Sequence, residues 1–192
     1  KELHHFSSPD PVADEVYRSW FPPSDDRDRE RLRGEATPDY LSSFEAPRRI
    51  AEHNPDVRLV VALRDPVDRA VSAFQHARRV GAIPRGASLQ QVYWDEARRR
   101  TLSRDWTRIR WDGMYGRHLA RYLRSFRREQ LHVLFLEELV ADSDGALSSL
   151  GRFLGHPDLG ADRLPHENAS RDVVSPTLER LVVRSTRRLR RA

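Results

Sequence analysis

One segment, residues 59–74, constrains the fold more than any other part of the chain. It opens with the apolar run Leu-Val-Val-Ala-Leu at 59–63 and passes through Arg-Asp-Pro at 64–66 into an amphipathic pattern. A short apolar run rich in β-branched residues is typical of a strand buried on both faces. Asp65 is a good N-cap and proline is favoured at the first helical position, which predicts a helix over 66–80.

The polar face of this predicted helix carries groups that suit phosphate. Arg64 stands at the carboxyl tip of the strand, beside a helix N-terminus with free N–H groups, and Ser72 lies two turns into the helix. A cation, a helix N-terminus and a hydroxyl together favour an anion site. The same residues also fit an ordinary capped helix with a surface arginine and serine. The opposite face is predicted to be buried, through Val67, Ala70, Val71 and Phe74.

Further along the chain, strand and helix patterns alternate. A second buried strand is predicted at 132–136, and an irregular segment at 104–112. Alternating strands and helices predict an α/β fold with a parallel, doubly wound sheet and helices on both faces. Ligands of such sheets bind beyond the carboxyl ends of the strands. A short strand end is predicted at 2–6 and a short strand or strand end at 32–36. Helices are predicted at 10–20, at 37–53 in broken form, at 88–100, at 113–128 and at 137–154 with an interruption near 142–145.

Composition narrows the function classes. The 192 residues contain no cysteine, which excludes disulfides and thiolate metal sites, and no helical His-x-x-x-His pair, so we expect no bound metal. No apolar run approaches the roughly 18 residues that span a bilayer, so we expect no membrane segment. The net charge of +5 suits anionic ligands. We expect one domain over 1–192 and a cytoplasmic protein, and the near-absence of lysine is typical of a GC-rich bacterial genome.

The pattern Arg-Asp-Pro-x-x-Arg-x-x-Ser-x-Phe at 64–74 resembles the 3′-phosphate motif of sulfotransferases that use 3′-phosphoadenosine 5′-phosphosulfate (PAPS). The resemblance implies that Arg64 and Ser72 contact the 3′-phosphate of this co-substrate. It also places Arg171 in a basic loop over the nucleotide. A solvated loop arginine is the alternative for that residue.

Two further segments resemble the glycan-type sulfotransferases, among them the heparan sulfate enzymes. Lys-Glu-Leu-His-His-Phe at 1–6 resembles their Lys-Glu-x-His-aromatic-Phe stretch, which implies that Glu2 is the catalytic base and that His4 tunes or shares this role. Gly-Glu-Ala-Thr-Pro-Asp-Tyr at 34–40 resembles their Glu-Lys-Ser-Pro-x-Tyr segment. The resemblance implies that the acceptor side is lined by Glu35, Thr37 and Tyr40, and Tyr115 is a further candidate for the acceptor pocket.

The resemblance covers nearly the whole chain and implies a three-layer fold of the P-loop NTPase type. In that family a glycine-rich loop with a lysine holds the 5′-phosphosulfate, and nothing in 1–192 resembles it. We therefore expect that a first strand, this loop and a first helix precede Lys1, and that the chain as given binds PAPS weakly. Ala36 stands where heparan-type enzymes have a lysine, which argues against carrying over their acceptor specificity.

The arginine-rich residues 184–191 allow a second hypothesis, an anion- or nucleic-acid-binding domain without catalysis. A packed amphipathic helix with solvated arginines is the simpler interpretation of that segment. A P-loop kinase relative would need a Walker lysine and metal-binding groups, which the sequence does not show. We expect sulfuryl transfer from PAPS to a hydroxyl or amine of a carbohydrate or small acceptor, without a nucleic-acid partner; acceptor identity and oligomeric state are not predicted.

Overall fold

The structure, a computed structural model, describes residues 2–21, 32–94 and 104–157. Two strands and a series of helices alternate along these residues. No helix in the described ranges is both long enough and apolar enough to cross a membrane. The elements are α1 (Asp14–Ser19), α2 (Asp39–Ser42), α3 (Ala46–His53), β1 (Leu59–Leu63), α4 (Pro66–Arg79), α5 (Leu89–Trp94), α6 (Arg104–Trp111), α7 (Tyr115–Tyr122), β2 (Leu131–Phe135), α8 (Leu136–Ala141) and α9 (Ser143–Leu154).

The two strands β1 and β2 pair in one sheet. Just before β2, the Gln130 side chain donates to the carbonyls of Pro55 and Val57, which precede β1. Just after the strands, the backbone N–H of Asp65 donates to a carboxylate oxygen of Glu137. Hydrogen bonds thus join the segment before β1 to the segment before β2, and the segment after β1 to the segment after β2. The two strands therefore run parallel. The predicted α/β class and both principal strands are confirmed.

Burial of β1 is less complete than the sequence predicted. Its side chains alternate in exposure, and Val60 is 43% exposed. A strand covered on both faces would hide this valine, so the expectation of burial on both faces is wrong for β1 among the described residues.

The described chain divides into two compact units, each with its own core. The first unit comprises Lys1–Val61 and Gly116–His132, and the second comprises Ala62–Tyr115 and Val133–Ala192. A single domain over the whole chain stays a prediction. The first core is formed by Phe6, Tyr17, Ala46, Ile50, Tyr122 and Phe126, and the second by Ala70, Phe74, Ala77, Ile83, Ala87, Val92 and Ile109.

Helix α4 begins as the sequence predicted. One carboxylate oxygen of Asp65 accepts from the backbone N–H groups of Val67 and Asp68, at 2.8 and 3.0 Å, and proline occupies the first turn. These contacts change the expectation of free N–H groups at this helix end, because the aspartate already satisfies two of them. The apolar face is also narrower than predicted: Ala70 and Phe74 are buried, but Val67 is 67% exposed.

Other helix ends follow their sequence signals. The predicted helix over 37–53 is broken between α2 and α3, where the Ser43 hydroxyl accepts from the N–H of Ala46. Helix α9 starts at Asp142, whose carboxylate accepts from the N–H of Gly145, and ends at Gly155. Gly155 has φ 80°, a left-handed conformation that glycine adopts without the Cβ penalty.

Several predicted boundaries are wrong. Residues 2–6 form no strand, and the chain turns at 5–7, where the N–H groups of Ser7 and Ser8 donate to the carbonyl of His4. Residues 32–36 form no strand. The tryptophan-rich stretch predicted as irregular is helix α6, the helix predicted over 10–20 begins only at Asp14, and the one predicted over 113–128 is confined to α7. The predictions for 22–31, 95–103 and 158–192, including Arg171 and the basic tail, lie outside the described residues.

Candidate functional site

Arg64 follows β1 directly and has no strong partner in the part of the chain that the structure describes. Its side chain is 35% exposed, and its Nη2 lies 4.0 Å from the nearer carboxylate oxygen of Asp68, at the outer limit of an ion pair. Its Nε is buried without a hydrogen-bond partner. Because a buried donor without a partner is costly, and because so long an ion pair offsets little of that cost, this guanidinium is poised to take an anion.

The backbone around Arg64 is fixed from several sides. The N–H of the next residue, Asp65, donates to Glu137 at 2.7 Å. The phenol of Tyr115 interacts with the backbone N–H of Arg64; burial raises the pKa of Tyr115, and the charge of Arg69 and this N–H oppose the rise. These contacts hold the carboxyl tip of β1 in one conformation.

Arg69 plays a structural part in the same unit. Its guanidinium donates to the backbone carbonyl of Ile109, at the end of α6. The guanidinium also passes close to Gly113, where an added Cβ would lie 3.2 Å from Nη2. A larger residue at 113 would therefore press on this arginine.

Ser72 lies on the same side of α4 as Asp65 and Asp68. Residues separated by three, four or seven positions share one face of an α-helix. Ser72 therefore lies in line with the N-cap Asp65 and with Asp68, the aspartate nearest to Arg64. It is half-buried, roughly 10 Å along the helix axis from Asp65. The structure thus places the arginine and the hydroxyl on one side of the helix, with no bond between them.

The first unit brings together Glu2, His4 and Asp39. The imidazole of His4 has its Nε2 3.2 Å from an oxygen of Glu2 and its Nδ1 3.3 Å from an oxygen of Asp39. All three side chains are partly open to solvent, with Glu2 56% exposed. The two predicted catalytic residues are therefore in contact.

Thr37 holds the backbone of that segment. Its hydroxyl accepts from the N–H groups of Leu3 and His4, at 3.2 and 3.3 Å, and the residue is buried. These bonds support the positive φ of His4, 55°, a left-handed conformation that is uncommon outside glycine. Thr37 here stabilises the turn that carries the histidine, while its predicted contact with an acceptor stays a prediction.

Glu35 and Tyr40 form a second network. One oxygen of Glu35 accepts from the hydroxyls of Tyr17 and Tyr40, at 3.0 and 2.8 Å, and the Tyr40 oxygen accepts from the N–H of Phe6. Burial and the bond to Glu35 raise the pKa of Tyr40 to about 12, and burial with the same carboxylate raises the pKa of Tyr17. The second oxygen of Glu35 is buried without a partner. The network fixes the 34–40 segment against the N-terminal turn.

A cleft of about 650 Å³ lies beside this network. Among its described lining residues, aromatic and aliphatic side chains form most of the wall and Glu35 is the one ionisable residue. Such a wall suits contact with the apolar face of a ring. The cleft is lined by Leu3, Trp20, Phe21, Gly34, Glu35 and Ala36.

Sequence reasoning missed Asp39 and Glu137. Both read as ordinary exposed carboxylates near helix starts, where such residues are common. The signal for Asp39 was its place two residues after Thr37, within a segment already assigned to the acceptor side. The signal for Glu137 was its place directly after the second strand. No cluster of potential metal ligands occurs in the described ranges.

Comparisons with known proteins place these features in one family. The model of the sulfotransferase domain matches residues 25–189 of this chain. The chain is 32% identical to human heparan sulfate glucosamine 3-O-sulfotransferase 6 over 157 residues, which is 81% of this chain and 43% of that protein. It is 33% identical to the 3B1 enzyme of Mus musculus over 121 residues, 63% of this chain and 30% of that protein.

Among solved structures, a sulfotransferase from Alicyclobacillus acidocaldarius is similar in fold. The match has a TM-score of 0.61 at 28% identity and covers 90% of this chain and 74% of the other. The chain spans about a third of the length of the first curated relatives that it matches.

Proposed function

Because this chain belongs to the family defined by the sulfotransferase domain, we propose that it transfers a sulfuryl group from PAPS to a hydroxyl, or less favourably an amine, of a carbohydrate or other small acceptor. The observation that carries the proposal is the state of Arg64. A guanidinium for which the described residues offer no strong partner stands at the carboxyl tip of a parallel strand, where ligands of such sheets bind.

On the donor side, we assign Arg64 and Ser72 to the 3′-phosphate of the nucleotide. The arginine supplies charge and the serine a neutral hydrogen bond from the next turns of α4, while Asp65 occupies the first N–H groups of the helix. Binding therefore depends on these side chains more than on the helix end. Arg171 is proposed as a further contact to the nucleotide.

On the acceptor side, we assign Glu2 as the base. Transfer of a sulfuryl group resembles phosphoryl transfer: the acceptor oxygen and the leaving oxygen lie in line, and the protein positions them and stabilises the charge that develops. As the acceptor oxygen bonds to sulfur, its proton passes to the Glu2 carboxylate. PAPS supplies the sulfuryl group and leaves as 3′-phosphoadenosine 5′-phosphate.

The relatives support a carbohydrate as the acceptor class, because their names contain heparan sulfate glucosamine. The aromatic residues of the cleft beside Glu35 support a ring-shaped acceptor. Glu35, Thr37, Tyr40 and Tyr115 are proposed to line or support the acceptor side.

The proposal includes the finer features expected from the sequence. These are a three-layer fold of the P-loop type, a cytoplasmic location and a bacterial origin. The similarity to the Alicyclobacillus structure supports the α/β sulfotransferase fold in which these features are expected.

The direct test is turnover by the natural protein that carries this chain. The protein is mixed with PAPS and a panel of neutral, amino and acidic saccharides, and release of 3′-phosphoadenosine 5′-phosphate is followed by chromatography. We expect acceptor-dependent release that Glu2→Gln abolishes while nucleotide binding persists. Release that is absent with every acceptor, or unaffected by Glu2→Gln, would reject the assignment.

A further inference from the structure

We propose that Asp39 is a positioning residue that acts through His4 to orient the carboxylate of Glu2. The inference rests on the proposed sulfuryl transfer and adds a residue to which the family resemblance gave no role. The three side chains form a chain of contacts: Asp39 reaches Nδ1 of the imidazole at 3.3 Å, and Nε2 reaches Glu2 at 3.2 Å.

The chemistry of imidazole gives this contact chain a direction. A histidine nitrogen that carries a proton donates it, and the partner on that side decides which nitrogen this is. A carboxylate oxygen lies against each ring nitrogen, so a ring that carries both protons donates from Nδ1 to Asp39 and from Nε2 to Glu2. The contact with Asp39 thereby fixes the ring in plane and turns its Nε2 toward Glu2.

The backbone that carries the histidine is itself held. The Thr37 hydroxyl binds the N–H of His4, and the carbonyl of His4 accepts from Ser7 and Ser8. Asp39 begins α2 only two residues after that threonine. Histidine and aspartate are therefore fixed to one common support, so their separation is set by the fold and not by two independent loops.

Glu2 gains most from this arrangement. It lies at an exposed position next to Lys1, where an unheld glutamate samples several rotamers. The contact with His4 engages one carboxylate oxygen, Oε2, and leaves Oε1 to meet the acceptor proton. Supporting contacts that orient a reacting group are worth about 10- to 100-fold in rate in comparable sites.

The test uses Asp39→Asn, which keeps the shape and removes the charge, with Asp56→Asn as the matched control. Asp56 is an exposed aspartate in the turn before β1. In the natural protein we expect Asp39→Asn to lower kcat about 10- to 100-fold with both KM values within about twofold, and Asp56→Asn to change neither. Equal kcat for the two variants would overturn the proposal.

A second measurement needs no turnover. Nitrogen-15 spectra of the His4 ring report which nitrogen carries the proton. We expect a proton on Nδ1 in the wild type and a smaller proton occupancy there in Asp39→Asn, because a neutral amide oxygen is a weaker acceptor than a carboxylate. If wild type and Asp39→Asn give the same ring spectrum while the wild type is active, this inference alone is overturned. If the wild type never transfers a sulfuryl group, the proposed function is overturned, and the role of Asp39 in that reaction with it.

Discussion

Removal of the Arg64 guanidinium is expected to weaken binding of 3′-phosphoadenosine 5′-phosphate without weakening the fold. The variant Arg64→Ala deletes the charge that we assign to the 3′-phosphate. Hydrogen bonds to charged groups contribute about 1.5–3 kcal/mol, so the dissociation constant should rise roughly 10- to 150-fold.

The fold should tolerate this change because Arg64 makes only a weak side-chain contact among the described residues. Its ion pair with Asp68 is 4.0 Å long, and Asp68 is 67% exposed, so no buried carboxylate loses its partner. Exposed pairs of this kind are worth about 0–1 kcal/mol. A loss of affinity therefore reports on the nucleotide and not on unfolding, which a melting curve confirms.

The assay is titration calorimetry with two nucleotides. Arg64→Ala and Ser72→Ala should both weaken binding of 3′-phosphoadenosine 5′-phosphate. The serine variant should lose about fivefold in affinity, because it removes one neutral hydrogen-bond donor. Neither variant should change the affinity for adenosine 5′-phosphate. Arg85→Ala, an exposed arginine in the loop after α4, is the control for lost positive charge. If Arg64→Ala weakens both nucleotides equally, or neither, the assignment of the 3′-phosphate is wrong.

Two further predictions concern stability. Asp65→Ala removes the cap of α4 and should lower the free energy of unfolding by about 1–2 kcal/mol in urea titrations. A loss no larger than that of Asp56→Ala would contradict a stabilising role for this cap. The pKa of Tyr40 is raised to about 12 in the folded protein, so the unfolded chain loses this proton first. The free energy of unfolding should therefore fall as the pH rises from about 10 to 12, and Tyr40→Phe should make that fall smaller; an identical slope would show that this phenol is not responsible.

Local signals in the sequence predicted the parts of the fold that depend on neighbouring residues. The predicted N-cap Asp65 and the proline after it act within a few positions of the chain, and so do Ser43 and Gly155 at the helix ends that the structure shows. Their effects can be predicted because each satisfies backbone groups of its own helix end. The strand β1 was equally clear from its apolar run.

Long-range contacts were not predictable in the same way. The N-terminal segment has strand-like residues, yet it forms a turn because the hydroxyl of Thr37, more than thirty positions away, binds its N–H groups. The guanidinium of Arg69 donates to the carbonyl of Ile109, forty positions on. Which distant group reaches such a donor depends on packing, which no local pattern encodes.

The candidate site shows the same division. The residue types of Glu2, His4, Arg64 and Ser72 and their order along the chain could be assigned from the sequence. The contact of Asp39 with the histidine could not, because an aspartate after Pro38 looks like an ordinary residue of a helix start. Its position became informative only once the turn at His4 was seen.

A crystal structure of the natural protein with bound 3′-phosphoadenosine 5′-phosphate tests the central claim most directly. The account predicts that the 3′-phosphate lies about 3 Å from both the Arg64 guanidinium and the Ser72 hydroxyl, on the Asp68 side of α4. A nucleotide whose 3′-phosphate contacts neither side chain would contradict it.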